Sequence, residues 1–489
     1  MICFKSPLLQ ANTASTAPSQ TLSGIWTRIT FPEHGAGPAI RSPGIKRTRL
    51  DTRKLPLRAT PPSPVQPFHN IATAYTMTPR LGLLALFPAL AIAQAQLAPD
   101  ADTSSLPHDT LFSPLIEVKL RATAHNISGI PTQYPQYTTR DTGEWVYFPA
   151  DGWTTGFLPA TFYALRTRAQ LCDNSSGEAE WLDEGRRWAT GEVPLETQTS
   201  VGHDVGFLSF PFVEELEVDP TNTSAIEAVN DFANHLAGRF SPIVGCTRSW
   251  DSADPTDFQV IIDNMMNLEV LFVSEGLTGN HTLRDIAMSH ADKTMVNHVR
   301  ADGGSFHVVD YNATTGAVID QRTSQGYSNS STWSRGQAWG IYGFANMHQR
   351  TGEQRYLDTA RRMAAYFIDN LPSDNIVPWD FNAPLDPPRP ADSSAAMIAT
   401  NGLFLLAIQE NSLSPANNTG ALYYTNAAIK ILSATTNAFW KPDWNSLLSN
   451  GTVNNPANPP NNLTGIVYGD YYFVNAGNQL LLSGLTRCH

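Results

Sequence analysis

The residues of this 489-residue chain that can do chemistry are two aspartates and one polar, aromatic run. Asp263 stands in Ile261-Ile-Asp-Asn-Met-Met-Asn-Leu268, among apolar neighbours on a segment that reads as a buried helix. Burial without a counter-charge disfavours the carboxylate and raises its pKa, which suits a general acid. The bland alternative is a structural Asp bonded to Asn264 or Asn267. Asp204, in His203-Asp-Val-Gly-Phe207, opens another apolar helix. An N-cap position there favours its ionised form, and capping alone is its bland alternative. One carboxyl kept protonated beside one kept charged is the usual division between acid and base.

The run Gln325-Gly-Tyr-Ser-Asn-Ser-Ser-Thr-Trp-Ser-Arg-Gly-Gln-Ala-Trp339 is the richest. Arg335 and Trp339, four apart, share a helix face, while Trp333 belongs to the approach turn. Tryptophan rings stack on sugar faces, and arginine pairs with a carboxylate through two parallel hydrogen bonds. A lone arginine in so uncharged a helix needs an anionic partner. That partner is a ligand, or internally Asp204 or Asp392. His307 reads as a ligand contact or as an ordinary loop histidine. There is no P-loop, HExxH, GxSxG or dinucleotide fingerprint, so metal, nucleotide and serine-hydrolase chemistry has no motif to start from.

Elements must hold these residues together. Six segments are apolar on all sides and read as inner helices: 153–168, 204–212, 259–274, 333–347, 392–408 and 469–482. Amphipathic stretches alternate with them at 106–124, 178–191, 223–239, 282–299, 354–370 and 420–437. In the fifth of these, Tyr356, Leu357, Ala360, Met363, Ala364 and Phe367 keep the three-to-four spacing. A repeated helical hairpin of this size predicts an all-α, (α/α)6 barrel of six inner and six outer helices, with an irregular bundle or open solenoid as the alternative. β-Branched residues on either side of Asn312-Ala-Thr-Thr-Gly316 predict a small β-hairpin over one mouth.

The chain as a whole carries a net charge of −12, with residues 1–76 at +7 and the remainder near −19. So acidic a body argues against nucleic-acid and anionic-membrane partners. Leu81–Ala93 is too short to span a bilayer. Preceded by Met77-Thr-Pro-Arg80 and followed by Ala93-Gln-Ala95, it reads as a signal peptide over 77–95. Residues 1–76 then read as a gene-model extension, with an Arg/Ser-rich transit segment as the alternative, and 96–489 as the catalytic domain. Nine N-x-S/T sequons, none before Met77, support a secreted, extracellular glycoprotein. Cys172, Cys246 and Cys488 allow one disulfide without choosing it. A monomer is expected.

The blocks His203-Asp-Val-Gly-Phe, Ile262-Asp-Asn-Met-Met-Asn-Leu, Ser331-Thr-Trp-Ser-Arg-Gly-Gln-Ala-Trp-Gly-Ile-Tyr-Gly, Asp392-Ser-Ser-Ala-Ala and Gly469-Asp-Tyr-Tyr-Phe resemble the unsaturated glucuronyl hydrolases, glycoside hydrolase family 88. The resemblance implies an (α/α)6 barrel working without metal or cofactor on oligosaccharides that end in a 4,5-unsaturated uronate left by a polysaccharide lyase. It implies hydration of the C4=C5 bond, with Asp263 as acid and then base and Asp204 as its partner. Substrate contacts would come from His307, Gln325, Trp333, Arg335 and Trp339, with Trp153 and Tyr471 less closely matched. Arg335 suits the uronate carboxylate by charge. Trp250 is the nearest match to an aromatic residue that the family keeps before its catalytic helix, with Arg248 a departure beside it. Three alternatives stay open: an unsaturated rhamnogalacturonyl hydrolase, an inverting glycosidase acting on saturated sugars, and a non-catalytic sugar-binding protein.

Overall fold

In the computed structural model, residues 96–488 are described; the expected extension over 1–76 and signal segment over 77–95 lie outside the described residues. The chain is mainly helical, with small antiparallel strand pairs. Helices Phe157–Leu171, Phe210–Val218, Glu269–Thr278, Ser334–Thr351, Ser393–Ser412 and Val467–Leu482 form a buried series. They alternate with amphipathic helices Pro114–His125, Ser175–Thr190, Thr223–Gly238, His281–Asn297, Gln354–Asp369 and Asn418–Phe439. Four of the amphipathic helices begin at an asparagine whose side chain accepts a backbone N–H: Asn174, Asn222, Asn280 and Asn417. Those caps satisfy otherwise orphaned donors. They are also four of the nine sequons, so part of that tally has a structural source.

Each amphipathic helix from Ser175–Thr190 onward packs on the buried helix before it. The buried series also packs within itself. Phe157–Leu171 meets Phe210–Val218, Ser334–Thr351 meets Ser393–Ser412, Ser393–Ser412 meets Val467–Leu482, and Val467–Leu482 returns to Phe157–Leu171. The short helices Val205–Leu208 and Asn264–Asn267 complete the circuit between Phe210–Val218 and Ser334–Thr351. Cys172 and Cys488 form a disulfide, with Cα atoms 5.5 Å apart, and Cys246 is buried and free.

Two segments depart from the sequence reading. The expected helix over 204–212 is broken into a 3-10 turn, Gly202–Asp204, the short helix Val205–Leu208 and a restart at Phe210, where Pro211 suits a first turn but not a helix interior. The expected helix over 259–274 begins as a strand, Asp257–Ile261. Phe258 and Val260 point to a small core with Val244, Cys246, Val309 and Tyr311, which is a period of two. That strand pairs with Val308–Asn312, itself paired with Val318–Arg322, so the expected hairpin is two strands of a three-stranded sheet.

Candidate active site

Asp263 sits where strand Asp257–Ile261 gives way to helix Asn264–Asn267, at a turn and not inside a helix. Neither asparagine of its bland reading bonds it. Asn264 donates to Thr247, and Asn267 donates to Asp204 Oδ1 at 3.4 Å while accepting Phe207 N–H at 3.0 Å. Asp204 ends the 3-10 turn and makes no side-chain cap hydrogen bond, which corrects the capping expectation. The first two mouth-forming turns are held close by Gly206, where an added Cβ would stand 2.5 Å from Asn267 Cα.

The two carboxyls keep only 13% (Asp263) and 17% (Asp204) of their side-chain exposure. Burial pushes Asp263 up to about 7; the Arg335 charge pulls it back, and Asp204 adds to the rise. Burial also pushes Asp204 up to about 7, against the pull of its Asn267 hydrogen bond and of Arg239. The expected contrast of one charged and one protonated carboxyl is therefore corrected. Asp204 lacks the cap hydrogen bonds that would have kept it ionised, and both sit in a dry environment.

Two histidines flank the pair. His203 Nε2 lies 3.2 Å from Asp204 Oδ1, and His307 Nε2 lies 3.7 Å from Asp263 Oδ2. Both rings are buried and held neutral, His203 pushed by burial down to about 4 and His307 well below the usual range. The His307 ring is 4.4 Å from Trp333 and 5.9 Å from Trp250, so Trp250 stands at the site's edge. Arg248 lies over Phe258 at 4.8 Å, on the small sheet core.

Arg335 is 1% exposed, and three of its five N–H donors are spent within the protein. Nη1 bonds Asp392 Oδ2 at 2.8 Å and the Thr452 carbonyl; Nη2 bonds the Val453 carbonyl at 2.8 Å. Of the internal partners that the sequence reading allowed, the structure shows Asp392, because burying so large a cation demands an internal anion. Arg335 still charges the site from behind two aromatic rings, Trp333 at 4.5 Å and Tyr468 at 5.6 Å. Gln325 donates to the same Val453 carbonyl at 3.0 Å.

Trp153 is half-buried in the turn before helix Phe157–Leu171, 5.0 Å from Tyr468 and 5.7 Å from Phe207. Trp339 is fully buried against Phe207 and Tyr472, as a floor behind the site. Tyr471 does not join the site. It packs on Phe157 and Phe210 and lines a separate cavity of about 570 Å³ with Glu214, Tyr342 and Leu405. The helix begins at Val467, so its first-turn residue Tyr468 faces Arg335, whereas Tyr471 lies a turn deeper. Tyr468 and His203 were given no role in the sequence reading, though His203 opens one of the blocks it singled out and Tyr468 adjoins another.

Several polar atoms in this region are buried without a hydrogen bond: Asp263 Oδ2, His203 Nε2, His307 Nε2, Trp333 Nε1 and Tyr468 OH. They are available to a ligand's hydroxyls and charges, while other such atoms, among them Trp181 Nε1, Trp188 Nε1 and His290 Nε2, lie elsewhere in the core. Among the described residues, no three or more His, Cys, Asp or Glu side chains are grouped as metal ligands would be.

No family model matches the chain. The chain is 34% identical over 333 residues to an unsaturated glucuronyl hydrolase of Formosa agariphila, covering 67% of this chain and 80% of that protein. It superposes on the crystal structure of the unsaturated glucuronyl hydrolase of Bacillus sp. GL1, responsible for the degradation of glycosaminoglycan. There the TM-score is 0.68 at 28% identity, over 76% of this chain and 96% of that one. A structure of an Asp-to-Asn variant of such an enzyme with dGlcA-Glc-Rha-Glc matches with the same TM-score, identity and coverage. The chain belongs to the unsaturated glucuronyl hydrolases, a family of glycoside hydrolases.

Proposed function

We propose that this enzyme removes a 4,5-unsaturated uronate from the non-reducing end of lyase-generated oligosaccharides by hydrating the C4=C5 bond. The observation that carries the reading is the buried carboxyl pair, Asp204 and Asp263, both shifted into the range where a carboxylic acid holds its proton near neutrality. Asp263 delivers a proton to C4, and its carboxylate then takes one from the water that adds at C5. The resulting hemiketal opens and releases the remaining sugar. Asp204 orients the ring hydroxyls. Trp333 Nε1 and Tyr468 OH are unfilled donors backed by the Arg335 charge, and they suit an anionic sugar better than Arg335 itself. Trp153 offers a partly open ring for stacking.

The closing circuit of buried helices supports a complete (α/α)6 barrel, with the three-stranded sheet at the mouth that holds Asp263. The Cys172–Cys488 disulfide and the five sequons outside the helix N-caps, at Asn126, Asn312, Asn329, Asn450 and Asn462, support a secreted, glycosylated enzyme.

The test is an assay of unsaturated disaccharides from several lyases, following loss of the enol-ether absorbance. Turnover of a glucuronyl substrate is expected. Absorbance that persists while a control enzyme removes it would overturn the reading, and preference for a galacturonyl-rhamnose substrate would reassign the specificity.

A further inference from the structure

Two neutral histidines stand beside the two aspartates, and backbone groups fix which nitrogen of each carries the proton. His203 Nδ1 lies 3.0 Å from the Ser249 carbonyl, which can only accept. Nδ1 therefore carries the hydrogen, and Nε2 presents a bare lone pair toward Asp204 Oδ1, 3.2 Å away. His307 is the reverse. The Ser324 N–H, which can only donate, reaches His307 Nδ1 at 3.2 Å. Nδ1 is then the acceptor, and Nε2–H points toward Asp263 Oδ2, 3.7 Å away.

We infer that His203 and His307 are positioning residues locked by the backbone in opposite tautomers, so that Asp204 faces a proton acceptor and Asp263 a proton donor. An ionised Asp204 would set a carboxylate oxygen against a lone pair with no hydrogen between them. A proton on Asp204 turns that contact into an O–H···N hydrogen bond and fills a ring nitrogen otherwise buried without a partner. At Asp263 the histidine N–H faces Oδ2 across 3.7 Å, beyond hydrogen-bond reach, and acts on that oxygen only through its partial positive charge. In the reaction proposed above, on which the kinetic arm below rests, that charge biases the acidic hydrogen toward Oδ1, the oxygen then turned to the alkene.

The anchors are themselves held. Ser249 Oγ accepts the Ile261 N–H at 2.9 Å, and the Ser249 carbonyl also accepts Arg239 Nη2 at 3.2 Å. The charged and titratable groups facing His203 are Asp204, Asp263, His290, His307 and Arg239, the last paired with Asp251. Those around His307 are Asp263, Arg335, Arg322, His298 and His203.

Nitrogen-15 NMR of the unliganded protein, labelled at its 12 histidines, reads the tautomers without any turnover. His203 is expected as the Nδ1–H form and His307 as the Nε2–H form, each assigned by the signal lost in His203→Asn or His307→Gln. Finding both rings in the same form, or either one charged at neutral pH, would overturn the inference even if the enzyme is active. If a variant fails to fold, assignment through nuclear Overhauser contacts in the native protein replaces it. The kinetic arm uses His203→Asn, which keeps the donor to Ser249 and deletes the bare nitrogen. It should lower kcat roughly 10–100-fold and displace the pH profile, with KM within about threefold. A loss of thermal stability with an unmoved pH profile would assign His203 a packing role only.

Discussion

At the scale of single residues, the candidate site holds two carboxyls with little exposure to water. Asp263→Asn keeps the shape and removes the proton, so kcat should fall at least about 10³-fold while calorimetry still records binding of an unsaturated disaccharide. Full activity in that variant would move the acid role elsewhere. The pH dependence follows from the direction of the shifts. Asp204 and Asp263 hold protons more tightly folded than unfolded, so their contribution to stability is present below about pH 4 and is lost as pH rises through 7. His203, His290 and His298 are pushed down to between about 3 and 4, so their contribution is present above about pH 6.5 and is lost as pH falls. Melting curves of Asp263→Asn and wild type between pH 5 and 8 should therefore diverge, with the wild type losing ground as pH rises. Parallel curves would show that Asp263 ionises freely in the folded protein.

At the scale of elements, Asp204, Asp263, Arg335 and Tyr468 depend on how a helix begins. Asp392 caps helix Ser393–Ser412 by accepting from Ser394 and Ala395, takes the Thr452 N–H, and neutralises Arg335 with its other oxygen. Asp392→Ala strips the cap and leaves a buried guanidinium unpaired. Urea denaturation should show a loss of about 3–5 kcal/mol, well beyond a cap alone. Gly206→Ala should separate the turns bearing Asp204 and Asp263 and lower kcat with little change in far-ultraviolet dichroism; unchanged kinetics would mean the turns can yield. The alternation of apolar and amphipathic segments was legible in the sequence because each long helix keeps its own periodicity, as Gln354–Asp369 does. The aspartate blocks were legible because polar residues stand out in apolar surroundings. The breaks next to both aspartates were not. Ile261-Ile-Asp-Asn-Met reads equally as the end of a strand or the start of a helix, and only pairing with Val308–Asn312 decides it. Nor could Arg335 be assigned between ligand and Asp392, since the two offer the same carboxylate chemistry. Tyr468 and Tyr471 differ by less than a turn, and where the helix starts selects between them.

At the scale of the whole molecule, the disulfide closes a separation of 316 residues, joining the end of helix Phe157–Leu171 to the last described residues. Replacing Cys172 with serine should lower stability by about 2–4 kcal/mol, read by urea denaturation with and without reductant. A wild-type curve unmoved by reductant would show that the bridge is not formed. The same region brings the described ends of the chain together: the Leu97 N–H donates to Ser483 Oγ at 3.2 Å, beside the contact between Val467–Leu482 and Phe157–Leu171. A polypeptide whose first and last described stretches are neighbours has no obligatory point of origin. A short flexible tether could splice residue 488 to residue 96, and fresh termini could be opened in the exposed loop at 384–388, producing a circular permutant that retains the same catalytic mouth.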